Sequence, residues 1–275
     1  MGAIIKVDLK RAFLSREFSI AILCGFALCI WQFAERLPVV LFNMKQIYSG
    51  NAVYDSPDLL YGSWLGAACG DVQNNYFFLI LPLLAVLPVG SNVYQDVQSN
   101  YLKQLEIRAE RRKVLAAKWL SAFVVGAVTV TLPLALNLIM WMSFLPVTGI
   151  FSGGSAALML GISDTNGIAA VLIPRHPMIY TIISLCLTFM MAGLFAALSL
   201  LMSFISEYRV IAMTLPFVIN LALLTAFKSA GMYEQSPTVF IQPGGMDGIG
   251  TITVIITLIF LVVTLLPVLF RLGDE

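Results

Sequence analysis

The sequence predicts an all-α polytopic membrane protein, and three observations carry that prediction. The 275-residue chain is 59% hydrophobic and only 11% charged, whereas a soluble domain carries about 25% charged residues. Six long stretches hold no Asp, Glu, Lys, Arg or His, and most Lys and Arg residues fall in alternate gaps between them. A surface made from this composition cannot be wetted throughout, so the bilayer is the main solvent.

A spanning helix needs roughly 20 apolar residues. Residues 18–34, 76–94, 119–145, 178–205, 210–227 and 249–270 qualify or nearly so. Backbone amides find no water in hydrocarbon, so each stretch is expected to be helical. Pro82, Pro88, Pro133 and Pro216 fall inside them and predict kinks that neighbouring helices satisfy.

Lys and Arg set the orientation. With the N-terminus cytoplasmic, the inner side holds Lys6, Lys10, Arg11, Arg16, Lys103, Arg108, Arg111, Arg112, Lys113, Lys118, Arg209 and Arg271. The outer side holds Arg36, Lys45, Arg175 and Lys228. Twelve against four of the 16 cations is a firm positive-inside bias. Both termini are then cytoplasmic. Residues 150–173 form a possible seventh span, which flips everything after it and leaves the charge count unchanged. Gly153, Gly154, Asp164, Asn166 and Gly167 interrupt this stretch, and a central Asp costs about 2.5–3.5 kcal/mol on insertion scales. Six spans are therefore favoured, with outer loops at 35–75, 146–177 and 228–248. Val239, Phe240 and Ile241 are apolar enough to dip into the outer leaflet. The chain is read as one transmembrane domain over residues 1–275.

Residues 1–17 precede the first span. Ile5, Leu9, Ala12 and Phe13 follow helical spacing, with Lys6, Lys10 and Glu17 elsewhere. This reads as an imperfect amphipathic helix on the membrane lipid surface; the plainer alternative is a charged anchor. Residues 96–118 carry six basic and three acidic residues and no Pro or Gly. Helix is the default there, and Glu110 with Lys113 makes a supporting i,i+3 pair. The stretch is either a bare topology determinant or a docking element, with Asp96, Arg108, Arg111, Arg112, Lys113 and Lys118 as its partner-coupling residues.

This arrangement resembles the membrane subunit of an ABC-2 type transporter, the bacterial export-permease family. The resemblance lies in an amphipathic N-terminal segment before span one. It lies also in a polar step after span two (Tyr94-Gln95-Asp96-Val97) and an Arg-x-x-Arg-Arg-Lys-x-x-x-x-Lys run (Arg108 to Lys118) into span three. Family members often place a Gly before the Leu-rich part and a small polar residue or Pro near the Arg cluster. This chain has Ser99-Asn100 and Ala109-Glu110 there instead. The resemblance implies a type V exporter-like architecture, with residues 96–118 holding a coupling helix for a separate ATP-binding subunit. It also implies a partly re-entrant 228–248 loop. The assembly implied is a dimer of ATP-binding subunits with a second permease copy, identical or paralogous, in the bacterial plasma membrane. No GxxxxGK[ST] run occurs, so ATP and Mg belong to that partner; no cofactor is expected in this chain.

Gln32, Asn137 and Asn220 are polar residues inside spans. They either bond helix to helix or line a cargo path. No catalytic constellation stands out: His176 is the single histidine, HExxH is absent and no CxxC joins Cys24, Cys29, Cys69 and Cys186, so neither an enzyme nor a metal site is expected. The net charge of +1 offers no surface for nucleic acid. The function expected is export of an amphipathic or apolar cargo, such as a peptide antibiotic, a lipid-like molecule or a drug. An ion-coupled carrier is disfavoured because the spans hold no charge. An accessory immunity or sensor subunit is the remaining alternative.

Overall fold

The computed structural model describes residues 2–49, 60–66, 71–145, 177–206, 208–242 and 251–269. Among them the chain is helical, with no strand. The helices are α1 (Gly2–Phe13), α2 (Arg16–Tyr48), α3 (Leu60–Ser63), α4 (Val72–Gln98), α5 (Tyr101–Arg108) and α6 (Arg111–Met142). They continue with α7 (Pro177–Ile205), α8 (Arg209–Ser229) and α9 (Thr251–Leu269), with a 3₁₀ turn at Tyr233–Gln235.

Five helices, α2, α4, α6, α7 and α8, are long and apolar enough to cross a membrane. The chain is therefore a membrane-embedded, multi-pass protein. The apolar part of α9 is shorter, Thr253–Leu266. Burial sorts the helices into layers. In α4 and α7, 67% and 72% of the apolar stretch is inside the protein, against 22% and 17% in α2 and α8. The core is thus α4, α6 and α7, and α2 and α8 present Leu23, Ile30, Trp31, Val210 and Val218 outward as lipid-facing surface.

Small residues let the core helices meet. A Cβ on Gly126 would lie 2.2 Å from the Ala196 Cβ and 2.9 Å from the Ala85 carbonyl oxygen, so α6 touches α7 and α4 at one point. On α7, Ala192, Ala196 and Ala197 are all fully buried. Gly193 sits against the Phe123 ring. Close backbone approach through small residues is the usual basis of helix association in lipid.

Helix directions follow from polar contacts at one end. Lys118, near the start of α6, bonds Asp8 of α1, which leads directly into the start of α2. Arg209, which begins α8 just after α7 ends, reaches Glu17 at the start of α2. So α6 leaves this end and α7 returns to it. Leu145 and Pro177, the described residues on either side of the connection, both lie at the opposite end; the possible seventh span, residues 150–173, lies outside the described residues. This end, called basic below, gathers Lys6, Lys10, Arg11, Arg16, Lys103, Arg108, Arg111, Arg112, Lys113, Lys118 and Arg209. The opposite end has Arg36, Lys45 and Lys228 among the described residues.

Two sequence expectations need correction. The first helix does not stop with its apolar stretch at Ala34; α2 runs on to Tyr48 through Glu35, Arg36 and Pro38. Its charged residues are accommodated because Arg36 pairs with Asp71 and Glu35 accepts from Gln73, and a proline bends a helix without having to end it. Second, residues 96–118 are not one helix. Asp96 closes α4, α5 stands alone, and residues 111–118 are the first turns of α6. Val239, Phe240 and Ile241 are buried against the protein, where the Ile241 carbonyl accepts from the Ser184 hydroxyl on α7.

Candidate functional site

The breaks around α5 have local causes. At Asn100 the backbone turns left-handed, φ 57° and ψ 15°, a conformation that Asn tolerates better than most non-Gly residues. Ala109 is fully extended, φ −146° and ψ 152°. The chain therefore leaves the α4 axis, makes two turns of charged helix and re-enters along α6. Ser99-Asn100 and Ala109-Glu110 are the two pairs at which the helix breaks.

Beneath α5 lies a buried ionic cluster. Lys118 Nζ donates to Asp96 Oδ2 at 2.6 Å and to Asp8 Oδ1 at 2.7 Å. Arg11 Nη1 donates to Asp96 Oδ1 at 2.6 Å. Only 3% of the Lys118 side chain and 7% of that of Asp96 are exposed. The Tyr101 ring of α5 lies 5.6 Å from the ammonium, within cation–π range. Four elements, α1, α4, α5 and α6, thus share one lysine. Two cations and two carboxylates balance, which the low dielectric of this position demands. Burial raises the Asp8 carboxyl above its ordinary value of 3.8; Lys118 opposes that rise, Asp96 adds to it and Arg11 opposes it.

Apolar packing reinforces the junction. Ala12 of α1 joins Val89 and Val93 of α4, Ala122 and Val125 of α6 and Leu200 of α7 in one cluster, flanked by Leu9, Phe13 and Phe18. The helical spacing read at Ile5, Leu9, Ala12 and Phe13 therefore marks a face that packs on the protein, at least from Leu9 to Phe13. A cleft of about 570 Å³ opens beside it, lined by Arg11, Tyr94, Gln95, Asp96, Gln98, Ser99 and Tyr101.

The residues expected to meet a partner divide. Asp96 and Lys118 are interior and bonded within the chain, so they brace the surface and do not form it. Arg112 and Lys113 are exposed in the first turn of α6, and Lys113 Nζ lies 2.9 Å from Glu110 Oε2. That ammonium lowers the Glu110 carboxyl below its ordinary range. Arg111 is partly buried. Arg108 ends α5, and its side chain lies outside the described residues. Sequence reasoning missed Ile107, which is 86% exposed on α5. It also missed Asp8 and Arg11, which meet Lys118 and Asp96 across 110 and 85 positions. The available signal was Lys118 itself, a cation at the mouth of an apolar span that requires a counter-ion.

The span polar residues lie toward the opposite end. Gln32 Nε2 donates to the Ser63 carbonyl at 2.6 Å, and its Oε1 accepts from Trp141 Nε1 at 3.2 Å. Asn137 Oδ1 accepts from the Leu65 amide at 2.8 Å, while its Nδ2 donates to the Cys29 carbonyl at 3.3 Å. Asn74 Nδ2 donates to the Leu65 carbonyl at 2.6 Å. These amides bind α2, α4 and α6 to the short α3 segment, the interhelical role open to them in the sequence. Asn220 is fully buried on α8 and neither end of its amide has a partner.

Among the described residues no group of His, Cys, Asp and Glu is arranged to hold a metal ion. Compared with known proteins, the chain matches no family model, no curated protein and no solved structure.

Proposed function

We propose that this chain is the membrane-spanning permease subunit of an ABC-type exporter, driven by separate ATP-binding subunits docked at its basic end. One observation carries the reading. A short charged helix, α5, is set off from both neighbouring spans by backbone breaks, presents Ile107 outward and is braced from beneath by the Lys118 cluster. An isolated topology determinant needs charge alone. A helix that is braced, offset and tipped with an exposed isoleucine suits a lever that receives force and passes it to α4, α6 and α1 together.

The charge distribution supports the same reading. Apart from Glu35 and Arg36, which follow the uncharged stretch 18–34 of α2, the described spans carry their charged residues near their ends, unlike the titrating midplane site that ion-coupled carriers use. By the positive-inside rule the basic end faces the cytoplasm, where ATP is. The cargo class proposed is amphipathic or apolar, moved out of a bacterial cytoplasm or inner leaflet, with a second permease copy completing the path.

The test is capture from the native host followed by ATPase measurement. The tagged chain is expected to co-purify with a subunit that carries a Walker lysine, and Ile107→Asp with Arg112→Glu is expected to lose that subunit while the chain stays folded. The reading fails if the double variant keeps the ATPase bound. It fails equally if the chain alone, reconstituted without any ATPase, concentrates solute against a gradient.

A further inference from the structure

At the opposite end of the molecule α2 and α4 enclose a cleft of about 400 Å³, within the range of roughly 300–1,000 Å³ typical of ligand sites. It is lined by Glu35, Arg36, Asp71, Gln73, Asn43 and a wall of Val39, Val40 and Val72. Arg36 Nη1 bonds Asp71 Oδ1 at 2.7 Å, which uses one of the five N–H groups of the guanidinium. Gln73 Nε2 donates to Glu35 Oε2. Gln73 is almost wholly buried and fixes the floor, while Glu35 is exposed.

We propose that this cleft binds the headgroup of a phospholipid with a primary ammonium, phosphatidylethanolamine in chemical class. Position is the first argument. Glu35 and Arg36 immediately follow the uncharged stretch 18–34 of α2, and Asp71 precedes the apolar part of α4 by about one turn. The cleft therefore sits where hydrocarbon gives way to headgroups. Exposed Trp31 and Tyr76 lie about one turn to the hydrocarbon side of Glu35 and Asp71, within the range of interfacial aromatics.

Charge pattern is the second argument. An anion and a cation at consecutive positions line one cleft, with a second anion behind the cation. A purely anionic headgroup meets Glu35 and Asp71; a purely cationic one meets Arg36. A zwitterion satisfies both signs, its phosphate on the remaining Arg36 N–H groups and its ammonium on Glu35. A primary ammonium donates hydrogen bonds to Glu35, whereas a quaternary choline has no N–H to give. The outward apolar face of α2 before Glu35 continues toward the acyl chains, while Val39 and Val40, about one turn beyond Arg36, wall the headgroup. The inference needs the membrane location and stands apart from the ATPase reading.

The test is native mass spectrometry of the detergent-purified chain with equimolar phosphatidylethanolamine, phosphatidylcholine and phosphatidylglycerol of one acyl composition. Ethanolamine lipid is expected at least fivefold above the other two. Glu35→Gln, checked for an unchanged melting temperature, is expected to abolish the preference, and Arg36→Gln to lower all three. Competition by glycerophosphoethanolamine at equal concentration keeps the headgroup chemistry and makes a soluble molecule the ligand; failure to compete assigns the ligand to the bilayer. Equal binding of the three lipids by the native chain overturns the proposal, as does an ethanolamine preference that survives in folded Glu35→Gln.

Discussion

Lys118 and Asp96 face each other at 2.6 Å inside the basic end of the bundle, 22 residues apart in the chain and on different helices. Removing one member of a buried pair leaves the other charge stranded, at a cost of about 3–5 kcal/mol. Lys118→Ala is therefore expected to lower thermal stability strongly, and Asp96→Asn less, because Lys118 keeps Asp8 and Arg11 is partly exposed. A double-mutant cycle on tryptophan-monitored unfolding checks this. Additive losses within about 0.5 kcal/mol would show that the two are not coupled.

Asp8 gives a pH signature. Its folded-state carboxyl is raised above 3.8, chiefly by burial, so the packed state holds its proton more firmly than the unfolded state does. The contribution is fully present below the unfolded value and is lost as pH rises through the raised folded value. Melting temperatures of the native chain, referred to Asp8→Asn, should fall as pH climbs through the acid range and then level off. A difference that grows toward neutral pH contradicts this assignment.

Gly126 is expected to tolerate nothing larger. A Cβ there meets the Ala85 carbonyl, which is backbone, as well as Ala196, so neither neighbour can swing aside. Gly126→Val is expected to cost at least the 1–3 kcal/mol typical of overpacking and to reduce the yield of folded protein in detergent. Gly2→Ala, with open space around it, serves as the control. Equal folded yields from the two variants would refute the three-helix contact.

Asn137 and Asn220 should respond in opposite directions. Asn137→Ala breaks bonds to Leu65 and Cys29, and interhelical bonds in lipid are worth about 0.6 kcal/mol each, up to about 1.7. A loss of about 1–3 kcal/mol is expected. Asn220→Leu removes a buried amide without a partner, so stability should hold or rise. A large loss at Asn220 would mean that its amide bonds something beyond this chain.

The spans were legible because lipid leaves one choice for the backbone, and absent charge marks each one. Helix ends were less so. Glu35, Arg36 and Pro38 look like a stop for α2 until Asp71 and Gln73 are known to sit beside them, and those partners arrive more than thirty residues later. The cationic run 96–118 has helical composition throughout, and composition does not reveal that Asn100 adopts a left-handed turn. The ionic cluster was hidden for the same reason as α2's extension. Its members are ordinary charges one by one, and their meaning lies in distances that close only in three dimensions.

The bond between Asp8 and Lys118 spans 110 positions of chain, and this sets an order of events during synthesis. The α1 segment leaves the ribosome long before its lysine does. Until α6 has been made, Asp8 has no counter-ion and α1 has only the α4 half of its docking face, Val89, Val93 and Asp96. Closure of this joint therefore requires the first three long helices to be in place, and a chain cut short before Lys118 leaves Asp8 without its counter-ion.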